Sequence, residues 1–134
     1  MSPRRRIDPD AGAQAVRRWA RQAQDPGGRE AGPADRAQLR RTTATAVRYT
    51  LEELAACAPG RAVEVRVPPF AAAQAVAGAV HRRGTPPSVV ETDSETWLAL
   101  ATGALAWDEA LASGALRASG ERCDLSAYLP LVRA

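Results

Sequence analysis

Residues 95–120 read ETWLALATGALAWDEALASGALRASG, and Gly103, Gly114 and Gly120 cut this stretch into units of ten residues or fewer. Helices that short do not hold in water by propensity alone, so they must be packed against something else. Thr92 and Glu95 have capping-box spacing. The helix they start carries Trp97, Leu98, Leu100 and Ala101, and Gly103 is placed to stop it in a left-handed cap. Trp107 then opens a second short helix, with Asp108 and Glu109 near its positive end and Gly114 at its close. ALRAS reads as a strand, with Leu116 and Ala118 on one side and Arg117 on the other. CDLSAYLPLV reads as a last helix or tail that packs Leu125, Tyr128, Leu129 and Val132 inward.

Upstream, the period changes from helical to alternating. IDPDAGAQAVRRWARQAQD predicts a first helix capped by Asp8, with Pro9 in its first turn. DPGGREAGP reads as a linker. A long helix follows, with Leu39, Thr43, Val47, Leu51 and Leu54 at steps of three and four, ended by Ala58–Pro59–Gly60. In RAVEVRV the alternation puts Val63, Val65 and Val67 on one face and Glu64 and Arg66 on the other. Pro68–Pro69 break that strand, AAAQAVAG predicts a second, and SVVET a third. Helices, strands, two more helices and a strand predict an α+β domain with a mixed, largely antiparallel sheet and helices on one face. The linker divides the chain into a basic N-terminal helix and linker, 1–30, and a main domain, 31–134.

The core supply is thin. The chain has 134 residues, 30 of them Ala, against 23 Leu, Ile, Val and Phe together. A net charge of only +3 still favours folding over disorder. All 18 basic residues are Arg, in keeping with the codon bias of a GC-rich genome. Residues 1–48 carry net +6 and the rest net −3. The basic third reads either as a solvated face or as a weak contact with an anionic membrane, through a helix carrying Val16 and Trp19 beside Arg17, Arg18 and Arg21. The favoured reading against that contact is that Trp19 packs on the domain. No aromatic ladder accompanies the Arg residues, so no nucleic-acid partner is expected. No leader or membrane-spanning run is present, which predicts a cytoplasmic chain in which Cys57 and Cys123 are free thiols.

WLALATGALAWDEALASGALRASG followed by DLSAYLPL resembles the C-terminal half of sterol carrier protein domains. TLEELAACAPGRAVEVRVPPF and HRRGTPPSVVETD are similar to small actinobacterial proteins of that family. The first stretch is also similar to the C-terminal domain of mycothiol-dependent maleylpyruvate isomerases. The resemblance covers about residues 42–132. It departs at Ala106, where a Ser or Thr cap often stands, and at Ala71–Ala73. It implies a five-stranded mixed sheet with helices on one side and an apolar cleft between them for a lipid or sterol. It also implies a non-enzymatic carrier, with no catalytic residues and no cofactor.

On that reading Val65, Val67, Trp97, Leu100, Leu105, Trp107, Leu111, Leu116, Leu125 and Tyr128 line the cleft, and Arg66 and Arg82 meet a head group. The Trp residues read more readily as core than as ligand wall, and HRRGTPP, which holds Arg82, more readily as a polar surface loop than as an anion site. The expected partner is a hydrophobic small molecule. Two alternatives stand beside it: an interaction module whose cleft is filled by its own tail or by a partner protein, and an accessory to thiol chemistry. One His and two separated Cys make no zinc site, so no metal is expected. His81 has no nucleophile elbow to serve, and neither a Walker loop nor GxGxxG occurs.

Overall fold

The structure is a computed structural model that describes residues 5–24, 32–78, 88–120 and 123–133. Helix α1 spans Pro9–Ala23 and α2 spans Pro33–Cys57. Strands β1 (Val63–Val67), β2 (Ala71–Ala75) and β3 (Ser88–Thr92) follow, then α3 (Ser94–Thr102), α4 (Trp107–Ser113) and β4 (Leu116–Ser119). A single 3-10 turn, Ser126–Tyr128, lies in the C-terminal tail.

The α+β reading holds, with one correction. The sheet has four strands among the described residues, in the order β2-β1-β3-β4, where the resemblance implied five. β1 pairs parallel with β3, and the other two pairings are antiparallel, so the sheet is mixed. Val63, Val65, Val67, Val90 and Leu116 are buried on one face beneath the helices. Glu64, Arg66, Glu91 and Arg117 lie on the other, where registry sets Glu91 beside Arg66 and opposite Arg117. Opposite charges side by side suit a face left to water.

Local chemistry accounts for most boundaries. Asp8 caps α1, accepting from Ala11 N at 3.1 Å. Gly103 and Gly114 close α3 and α4 at φ 84° and 79°, left-handed positions where a Cβ is unwelcome. The cap of α3 sits one residue later than the spacing of Thr92 and Glu95 suggested: Asp93 accepts from Thr96 N at 2.7 Å. Thr92 is instead buried in β3 and donates to Ala115 O at 2.7 Å. The tail is extended beyond its 3-10 turn, and the N–H groups of Leu131 and Val132 both donate to Ala101 O. Those bonds take up a carbonyl at the end of α3 that the helix itself cannot use.

The first helix turns its apolar stripe inward. Val16 and Trp19 are buried with the core, and the Trp19 indole N–H donates to Glu95 of α3 at 3.0 Å. Gly12 lies so close to Tyr49 of α2 that an added Cβ would stand 2.2 Å from the ring. The surface-helix reading thus loses the apolar face it relied on; only the Arg-bearing face remains outside. Most of the expected linker lies outside the described residues.

Candidate functional site

A cavity of about 510 Å³ lies between α2 and β2, an edge strand of the sheet among the described residues. That size falls within the ~300–1,000 Å³ range of small-molecule sites. From α2 it is lined by Arg48, Leu51, Glu52 and Ala55, spaced to share one helix stripe. From the hairpin it is lined by Phe70 and the run Ala71–Gln74. Pro68 and Pro69 occupy the turn, and Phe70 N donates to Val67 O at 3.0 Å, which sets Phe70 at the mouth. Alanines at 55, 71, 72 and 73 leave the gap that larger side chains would close.

The third wall is the N-terminal arm, which brings Arg6 and Ile7 to the cavity. One carboxylate secures it. Glu52 Oε2 accepts from Arg6 N at 2.7 Å and Oε1 from Ile7 N at 2.9 Å. The Arg5 guanidinium pairs with Glu53 at 2.5 Å. With Glu52 engaged in this way, the charges left around an apolar floor are the Arg6 and Arg48 guanidiniums.

The residues expected to line a cleft sit elsewhere. Val65, Val67, Trp97, Leu100, Trp107, Leu116 and Leu125 come together, but as parts of one closed core cluster. Leu105 and Tyr128 are half-buried against its edge. Leu111 is exposed at 40% on α4, away from that cluster. Arg66 lies on the opposite face of the sheet, exposed and paired with Glu64 at 2.6 Å. Arg82 lies outside the described residues. Among the described residues of that set, none lines the α2–β2 cavity. Periodicity finds what is buried; it does not separate burial against protein from burial against a ligand. Of the actual lining, Leu51 stood on the α2 stripe in the sequence, and the Ala-rich strand was the one hint of a gap.

The described residues that line the cavity include no His, Cys, Ser, Thr or Lys. No cluster of three or more His, Cys, Asp or Glu able to hold a metal occurs among the described residues. Cys57, exposed at the end of α2, has its thiol pKa raised, chiefly by desolvation with Glu53 adding, the opposite of nucleophile activation. No helix among the described residues is long and apolar enough to cross a membrane. The arrangement can enclose an apolar chain and present guanidiniums at its rim.

No curated protein matches the chain. Residues 39–131, from within α2 to the C-terminal tail, match the family described as bacterial SCP ortholog. That match covers well over half of the 134 residues and takes in every strand, α3 and α4. The chain therefore belongs to the bacterial sterol-carrier-protein-like family.

Proposed function

We propose that this protein is a non-enzymatic carrier that takes a fatty acyl or sterol-like ligand into the cavity between α2 and β2. The observation that carries this reading is the open cavity itself, walled by Ile7, Leu51, Ala55, Phe70, Ala71 and Ala73. Family membership supports it at the level of ligand class. Burying about ten methylenes there contributes ~8 kcal/mol gross. After the cost of association this leaves micromolar binding, which suits a carrier that must release its cargo. The buried cluster around Trp97 and Val65 becomes a ligand wall only if α2 parts further from the sheet.

A second reading rests on the edge of β2. Ala62 N donates to Val76 O at 3.0 Å, and the antiparallel register continues from that pair. The backbone groups of Ala71 and Ala73 therefore point away from β1. A partner strand could add there, as in peptide recognition by strand addition.

Titration with a fluorescent fatty acid decides between them. The wild type should bind at micromolar strength, and Ala73→Trp, which fills the cavity, should weaken binding about tenfold or more. Absence of binding up to the solubility limit overturns the carrier reading and leaves strand addition.

A further inference from the structure

We infer that the groove between α1 and α2, on a different side of α2 from the lipid cavity, is a binding site for a phosphoryl group held by Arg18 and Arg41. The groove has a volume of about 300 Å³. Two helical stripes form it. Gln14 and Arg18 stand on α1, and Gln38, Arg41, Thr42 and Thr45 on α2, each set at helical steps of three, four and seven. No carboxylate lines it among the described residues. Asp8 caps α1, and Glu52 and Glu53 hold the N-terminal arm, while Asp10 and Asp35 stand one helical turn beyond Gln14 and Gln38, outside the lining.

Two guanidiniums across a groove whose described lining holds no carboxylate form a setting that an anion completes. Arg41 Nη2 already donates to Gln38 Oε1 at 2.8 Å, which steadies its planar fork. Such forks match phosphate oxygens in pairs, whereas an ammonium meets them only as a point charge. The Gln14 amide adds a neutral donor.

Thr42 supplies an independent sign. Two other helical threonines bond back to the carbonyl four residues earlier: Thr50 to Ala46 O and Thr102 to Leu98 O, each at 2.8 Å. Thr42 lines the groove at 4% exposure, yet its hydroxyl has no hydrogen-bond partner. Buried hydroxyls are seldom left in that state. The hydroxyl oxygen is itself enclosed, and a turn about the Thr42 Cα–Cβ bond brings it to a phosphoryl oxygen seated between the two helices. The phosphoryl group is that of free phosphate or of a phospholipid head. In the second case the contact is through the head group alone, because the apolar stripe of α1 is turned inward.

The test uses the full chain with two probes: inorganic phosphate followed by calorimetry, and phosphatidylcholine vesicles with and without phosphatidic acid followed by co-sedimentation. Saturable binding to at least one probe is expected. Arg18→Gln with Arg41→Gln should weaken it about tenfold or more. Arg21→Gln with Arg40→Gln removes the same charge outside the groove and should leave it within about twofold. Both pairs are exposed, so circular dichroism should show intact folds. Binding of phosphate without vesicles identifies a free phosphoryl compound, and binding only of phosphatidic acid vesicles identifies a lipid head. Absence of saturation with both probes, or an equal loss in the two double variants, overturns the proposal.

Discussion

Trp97 donates its indole N–H to Thr50 Oγ1 across 2.8 Å, with both side chains fully buried, and this bond joins α3 to α2 over the sheet. The same hydroxyl donates back to the α2 backbone at Ala46 O and Val47 O, so one Thr satisfies itself and the Trp. Thr50→Val keeps the shape and removes the acceptor. The stranded indole N–H should then cost about 1–3 kcal/mol in a urea melt. Thr50→Ser should recover most of that loss. Equal midpoints for wild type and Thr50→Val would show that the bond contributes nothing net.

The docking of α1 is tested by two substitutions and a truncation. Gly12→Ala places a Cβ where the Tyr49 ring already lies. Trp19→Ala empties a buried site and removes the hydrogen bond that the indole donates to exposed Glu95. Loss of a large buried aromatic costs about 3–5 kcal/mol. Each variant, and removal of residues 1–24, should lower the thermal midpoint by several degrees or more. An unchanged midpoint for the truncated chain would instead make residues 1–30 a separable unit.

Alkaline stability should report on Tyr49. Burial raises its phenol pKa above the ordinary value near 10, with Glu53 adding and Arg5 and Arg17 opposing. The folded chain therefore holds the phenol proton to higher pH than the unfolded chain. The stability this contributes is fully present below about pH 10 and is lost as pH rises through the folded value. The stability difference between wild type and Tyr49→Phe should thus be constant to about pH 9 and shift against the wild type above it. A difference that stays flat through about pH 11 would contradict the assignment.

The local elements were legible because their causes are local. Gly103 and Gly114 end helices through their own backbone freedom, and Val63, Val65 and Val67 declare a half-buried strand by alternation. The identity of most core residues followed from the same patterns, Trp97, Leu100 and Leu125 among them.

What those residues are buried against was decided only in three dimensions. Trp97, Val65 and Leu116 are buried in one core cluster, and Leu111, on a helix of the same segment, faces water. The cavity arises where sequence patterning is weakest, at an Ala-rich edge strand, because small side chains there cannot reach α2. Its third wall depends on Glu52 meeting the N–H groups of Arg6 and Ile7, more than forty residues away in the chain. Local propensity and periodicity act over a few residues, so the sequence alone determined the elements and the buried faces. Long-range packing and hydrogen bonding, which no local pattern encodes, decided the strand order, the inward turn of Trp19 and the place of the open cavity.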